Sequence, residues 1–263
     1  MLLSKSCKTE HHIKHGALKL GTLHEYRTIE NAALVDKEEG MLRFEFKIHG
    51  SVALPIKWYN TVFSGSTMLG NVPSEPVIGK YHIHVIEQTV EIVTEDTVIV
   101  SDAHVMMLRE AYNRFIFCMS KVRKLRDCEG MFAGCNDYWY MRAAGAHEFR
   151  LRLCKLLLSH IREQRELGSY IVPVEIPLEE VRIVSSYQEV EYVSREIDLH
   201  AGEAYVLEQF LNRTDKMEFI KPLDYKRERE FRFSFVLERN GQIIEPLVKS
   251  VFLDSSQLLD LVF

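Results

Sequence analysis

Three segments of this 263-residue chain set polar side chains at the edge of a strongly apolar stretch. The first runs Leu20-Gly21-Thr22-Leu23-His24-Glu25-Tyr26-Arg27 and is followed by an acidic turn, Asp36-Lys37-Glu38-Glu39-Gly40. The second, Phe115-Ile116-Phe117-Cys118-Met119-Ser120, leads into the basic run Lys121-Val122-Arg123-Lys124-Leu125-Arg126. The third is Tyr225-Lys226-Arg227-Glu228-Arg229-Glu230-Phe231-Arg232-Phe233. A period of two along a strand puts Glu228 and Glu230 on one side and Arg227 and Arg229 on the other. Paired carboxylates, a hydroxyl and a guanidinium are groups suited to proton transfer and to holding phosphate or sugar oxygens. Taken singly, each has an ordinary reading. An alternating charge run is a solvated face, a lone arginine a surface ion pair, and Trp139 between two tyrosines a core side chain.

The commoner catalytic signatures are missing. There is no G-x-G-x-x-G after a strand, no G-x-x-x-x-G-K-[ST], no H-E-x-x-H and no G-x-S-x-G, which disfavours Rossmann enzymes, P-loop ATPases, zincins and α/β-hydrolases. The stretch Phe63-Ser64-Gly65-Ser66-Thr67 reads as a polar turn. Five cysteines (7, 118, 128, 135 and 154) form no C-x-x-C pair, so neither a disulfide framework nor a ribbon-type zinc site is expected. His11, His12 and His15 share a helical spacing that a solvated face explains as well as a metal does, and no metal is expected.

Hydrophobic residues make up 46% and charged residues 27%, a globular balance that excludes wholesale disorder. Thirty-three Lys+Arg against 38 Asp+Glu leave a net charge of −5, so any polyanion must be gripped by a local patch. No apolar run approaches the roughly 18 residues of a membrane helix. The start, Met1 to Lys8, turns polar at once, unlike a signal peptide, so a cytoplasmic chain without a membrane partner is expected.

The elements that must position these residues read first as strands. Ala17–Leu20, Leu42–Ile48, Tyr81–Val85 and Val90–Val100 alternate apolar and polar, with turns near Glu87 and Glu95. Ala103–Asn113 has helical spacing, and Arg114–Ser120 reads as a short buried strand. The strongest helix runs from Ala143 to about Arg165 with Phe149, Leu151, Leu153, Leu156, Leu157 and Ile161, and Gly168 stops it. Tyr170–Ile176, Val181–Val193, Glu230–Leu237 and Val248–Leu253 read as strands, and Glu203–Asn212 and Ser255–Phe263 as helices. Without strict βα alternation, the fold class is α+β.

The order of the three segments resembles the Arg–Ser–Glu pattern of the ADP-ribosyltransferase superfamily. Arg27 matches its first position and Glu228-Arg229-Glu230 its Glu-x-Glu. Ser120 ends a middle motif that is usually Ser-Thr-Ser and here is Cys118-Met119-Ser120. His24 and Tyr26 keep open the branch that uses His and Tyr instead. Over most of its length the chain also resembles a broad group of bacterial proteins. They share an early G-x-L-x-x-Y-R segment, a middle F-C-x-S strand with a following aromatic patch (here Asp137-Tyr138-Trp139-Tyr140), and a late K…E-x-E-x-R strand. Some of that group look like anti-phage toxins of toxin–antitoxin systems, including ones that modify RNA.

The resemblance implies a single domain over residues 1–263, with a split antiparallel or mixed sheet and flanking helices. It also implies NAD as co-substrate and a macromolecular acceptor, RNA slightly ahead of protein. An antitoxin and a chaperone are implied as partners. Glu230 would supply the negative charge beside the ribose, and Glu228 would orient or deprotonate the acceptor. Arg27, with Tyr26, would hold NAD phosphate or ribose, Ser120 would fix Glu230 or the ribose, and Tyr138 or Trp139 would stack on a ring. Lys121, Arg123, Lys124 and Arg126 would receive a phosphate backbone or the phosphates of NAD. The same residues would serve an NAD glycohydrolase that transfers only to water. A fold kept without its chemistry would be a nucleotide-binding or sensor module.

Overall fold

The computed structural model describes residues 1–28, 36–63, 68–200 and 206–263. The turn at 64–67 and residues 203–205 of the expected helix lie outside them. In chain order the first elements are β1 (Leu2–Cys7), β2 (Ala17–Thr22), α1 (Leu23–Thr28), β3 (Met41–Pro55), α2 (Ile56–Val62), β4 (Lys80–Val93) and β5 (Thr97–Glu110). Then come β6 (Phe115–Val122), β7 (Asp137–Arg142), α3 (Ala146–Glu166), β8 (Arg182–Glu189), β9 (Glu191–Tyr192) and β10 (Glu196–His200). The chain closes with α4 (Val206–Thr214), β11 (Ile220–Lys221), β12 (Glu230–Arg239), β13 (Gln242–Ile244) and β14 (Ser250–Asp254). Strands and helices in this order make an α+β fold. No helix among the described residues is long and apolar enough to cross a membrane.

Contacts gather the chain into two compact units. One holds Met1–Glu39, Asn113–Tyr192 and Lys221–Phe263, and the other Gly40–Tyr112 and Val193–Ile220. The second unit is built on a mixed four-stranded sheet, β10-β3-β5-β4, in which only β10 and β3 run parallel. Here the helix expected at Ala103–Asn113 is instead the second half of β5. Met, Leu, Arg, Glu and Ala favour a helix locally. The alternation of buried Ala103, Val105 and Met107 with more open neighbours, clamped between β3 and β4, overrides that preference. Nor does the chain turn at Glu87, where β4 continues through register irregularities.

The first unit carries an eight-stranded antiparallel sheet ordered β13-β12-β6-β1-β7, with β8 on β12 and the β2–β14 pair on β6. Its period-two pattern separates two kinds of row. Phe231, Phe233 and Phe235 lie opposite Met119, Phe117 and Phe115, and these apolar side chains join the core. The alternate positions put Glu230 opposite Ser120, Arg232 opposite Cys118 and Ser234 opposite Ile116. Helix α3 covers the apolar side with Phe149, Leu153, Leu157 and Ile161, spaced four apart and at most 1% exposed. Leu151, expected on that stripe, is exposed instead.

Both β1 and β2 pair with β6, at opposite ends of it, so the sheet splits between them. Strand β1 has no counterpart in the sequence reading, because Leu-Leu-Ser-Lys-Ser-Cys lacks a clean alternation, yet Leu3 is fully buried. The strand expected at Tyr170–Ile176 is irregular. Pro173 and Pro177 break any ladder, and the Arg165 guanidinium donates to the carbonyls of Val172, Pro173 and Ile176 at 3.2, 2.8 and 2.7 Å.

Candidate active site

Glu228 does not lie on a strand. Residues Leu223–Glu228 form a 3-10 turn, Arg229 takes the left-handed conformation (φ 45°, ψ 45°), and β12 starts only at Glu230. The outcome expected from strand alternation survives by another route. The kink at Arg229 returns both carboxylates to one cavity while Lys226, Arg227 and Arg229 stay exposed. Both glutamates are 5% exposed and so do not belong to a solvated face.

This cavity, of about 200 Å³, lies within the first unit and is lined by Tyr26, Ser120, Glu228, Glu230, Lys221 and Arg232. Ser4, Ser6, Lys5 and Cys118 complete much of the wall. Ser120 faces Ser4 on one side and Glu230 on the other as direct cross-strand partners. Of the residues expected from the resemblance, Tyr26, Ser120, Glu228 and Glu230 therefore line one cavity, whereas Arg27, Tyr138, Trp139 and the basic run 121–126 do not. Tyr26 reaches the cavity from the short helix α1, and Gly21 on β2 makes room for it. A Cβ at Gly21 would stand 2.5 Å from a Glu25 carboxylate oxygen and 3.0 Å from the Tyr26 ring.

The charges form a buried chain. Lys221 Nζ bridges Glu228 at 2.8 Å and Glu230 at 2.9 Å. Arg232 Nε donates to Glu230 at 2.6 Å, and its two terminal nitrogens reach the Glu39 carboxylate at 2.8 and 3.3 Å. The Glu230 backbone N–H donates to the Tyr192 hydroxyl at 2.7 Å. Burial alone would raise the Glu230 carboxyl, but Arg232 and then Lys221 outweigh it and hold it well below the usual carboxylate range. For Glu228 burial wins: its carboxyl is raised despite the contact with Lys221. Burial, reinforced by Cys118 and Glu230, pushes the Tyr26 hydroxyl far up, so it stays a donor. Cys118 is pushed up to about 12 by burial and by Glu230, which leaves it a protonated thiol and no nucleophile.

Arg27 takes another place. It is not among the residues lining the cavity, and its Nε donates to the Glu39 backbone carbonyl at 2.8 Å. It thus supports the residue whose carboxylate holds Arg232. The guanidinium beside Glu230 is that of Arg232, present in the E-x-E-x-R spacing but assigned no part from sequence. Lys221, Lys5 and Glu39 were likewise unassigned. Nothing local marks them, because their partners arrive from distant segments.

Trp139 is 1% exposed, with its ring near those of Phe117 and Phe149 at 6.1 and 6.2 Å, so it serves the core. Tyr138 lies on the other face of β7, where its hydroxyl accepts the Gly130 N–H at 3.4 Å. Neither lines the Glu230 cavity. Trp139 does border a second cavity of about 460 Å³, set in the split between β1 and β2 and edged by Lys8, His11, His15 and Lys19. The two cavities share Lys5, Ser6, Tyr26 and Cys135. Lys5 Nζ lies 4.9 Å over the Phe117 ring and donates to the Cys118 carbonyl at 2.9 Å. Of the basic run, Arg123, Lys124 and Arg126 are exposed on a turn whose Asp127 carboxylate accepts the N–H groups of Arg123 and Lys124, each at 3.0 Å. Lys121 is ion-paired with Glu189. All five cysteines are free thiols, and no three His, Cys, Asp or Glu side chains gather as a metal group among the described residues.

Comparison with protein-family models, with curated proteins and with solved structures finds no match to this chain.

Proposed function

We propose that the chain is an NAD-dependent ADP-ribosyltransferase acting on a macromolecule, with the reaction centred on Glu230. The observation that carries this reading is the convergence of Tyr26, Ser120, Glu228 and Glu230 on one cavity, with Glu230 held ionised. A 200 Å³ cavity alone is smaller than common ligand sites. The adjoining cavity supports a two-part ligand: the nicotinamide ribose would lie at Glu230, the diphosphate by Lys5 at the junction, and the remaining nucleoside in the larger space.

In the reaction the bond between ribose C1′ and the nicotinamide nitrogen breaks, and nicotinamide leaves with the electron pair. Glu230 faces the positive charge that develops on the sugar, a fixed charge needing no reorganisation. The acceptor's nucleophile bonds to C1′, and its proton passes to Glu228, whose raised carboxyl makes it the better base of the pair. Tyr26 and Ser120 hold hydroxyls of the ribose. Arg232 and Lys221 position Glu230, and Arg27 supports the Glu39 end of the same chain. Free thiols suit the reducing cytoplasm, where we place the reaction.

The test is incubation with NAD labelled in its adenosine part and a cell lysate, followed by separate nuclease and protease digestion. Label retained on macromolecules is expected, and Glu230→Gln should cut its transfer by at least about 100-fold. Free ADP-ribose alone would mean hydrolysis. The absence of nicotinamide release with any acceptor would overturn the enzyme reading.

A further inference from the structure

We propose that a shallow cleft beside the Glu230 cavity docks the phosphate backbone of single-stranded nucleic acid, and that Lys226, Arg227 and Arg229 are its principal cations. This deepens the transfer reading by naming the acceptor class, and it rests on that reading for its link to catalysis. The cleft, of about 450 Å³, is walled by Lys121, Lys226, Arg227 and Arg229, with Glu189, Tyr192 and Glu230 also lining it. Glu230 thus borders both cleft and cavity, so a nucleotide held in the first lies beside the sugar site of the second.

The cations come from two segments far apart in sequence. The Lys121 N–H donates to the Arg229 carbonyl at 2.8 Å, which joins the run 121–126 to the turn 226–229. Together they bring Lys121, Arg123, Lys124 and Arg126 next to Lys226, Arg227 and Arg229 in a protein of net charge −5. Neighbouring acids offset part of this charge: Lys121 is ion-paired with Glu189 and Arg126 with Glu129 at 3.9 Å. Glu228 is buried on Lys221, and the Asp127 carboxylate, which accepts backbone N–H groups, also attracts Lys124 and Arg229. Among the described residues no carboxylate is ion-paired with Lys226, Arg227 or Arg229, and all three are exposed. Arg229 also holds a left-handed backbone (φ 45°) that a non-glycine residue adopts at a cost. Three exposed cations in one cleft, Lys226, Arg227 and Arg229, suit phosphates without reading sequence. The Tyr192 ring supplies a surface on which an unpaired base stacks, which a duplex does not offer.

The experiment is fluorescence anisotropy of a labelled single-stranded RNA of fifteen or so nucleotides, with the full chain and no NAD. The double variant Lys226→Glu, Arg227→Glu is expected to bind at least about tenfold more weakly. Its plot of log affinity against log salt should flatten by about 1.4 for two lost phosphate contacts. Reversing two exposed cations elsewhere, Lys14→Glu with Arg162→Glu, changes net charge equally and should alter affinity less than twofold. Equal loss in both variants, wild-type binding by the first, or equally tight binding of polyglutamate would each overturn the proposal. Because no NAD is present, failure here and failure of the transfer reading are separate results.

Discussion

Glu228 and Glu230 are chemically identical and two positions apart, yet their surroundings drive them in opposite directions. Glu230 meets two cations, Arg232 and Lys221, and stays ionised against burial. Glu228 meets one, Lys221, and burial prevails. A pair of carboxyls pushed apart in this way supplies a permanent charge and a proton acceptor from one residue type. A base must be deprotonated to act, so transfer should rise with pH through a value above that of an ordinary glutamate. In Glu228→Gln that acidic limb should vanish and the remaining rate fall roughly 100-fold. Initial rates from about pH 4 to 8 on both proteins check this. An unchanged limb in the variant would remove Glu228 from the base role. Arg232 illustrates a related point: at 1% exposure between Glu230 and Glu39, its ion pairs fix the Glu230 charge, while the desolvation they cost makes them weak evidence for stability.

Placement of these residues depends on how a few elements meet. Helix α1 starts directly after β2, and only the missing side chain at Gly21 lets Glu25 and Tyr26 fold back against the strand. Gly21→Ala should push the Tyr26 ring by a few tenths of an ångström while Glu25 swings aside. A displacement of that size at a ligand-orienting group should raise the KM for NAD several-fold at a stability cost of about 1 kcal/mol. Kinetics and urea unfolding on the same sample separate the two effects. The 3-10 turn and left-handed Arg229 are the second such device, because a straight strand through 226–232 would hold Glu228 in the ladder. The third is the split between β1 and β2, which opens the larger cavity and leaves the Cys118 carbonyl for Lys5.

For the molecule as a whole, the buried charge chain predicts an acid sensitivity with a definite origin. Glu230 titrates lower when folded than when unfolded, so its contribution to stability is full above the ordinary carboxylate pKa of about 4.3. It is lost as pH falls below that value, where the unfolded chain takes up a proton that the folded one refuses. Glu228, raised when folded, works the other way and offsets part of this. Urea midpoints measured between about pH 6 and 3 should fall more steeply for the wild type than for Glu230→Gln. Parallel curves would show that the Glu230 charge is not linked to folding.

By itself the sequence determined the α+β class, most strands and the α3 stripe, and its motif order put Tyr26, Ser120, Glu228 and Glu230 in one candidate site together with Arg27, Tyr138 and Trp139, which do not line that cavity. Those features are written in local periodicity or in motif order, and both are visible in one dimension. Only the tertiary structure decided that Arg232 and Lys221, not Arg27, hold Glu230, that Trp139 belongs to the core, and that β5 runs where helix formers suggested a helix. Ion pairs, burial and strand pairing depend on residues far apart in the chain, such as Glu39 and Arg232, whose meeting no local pattern records.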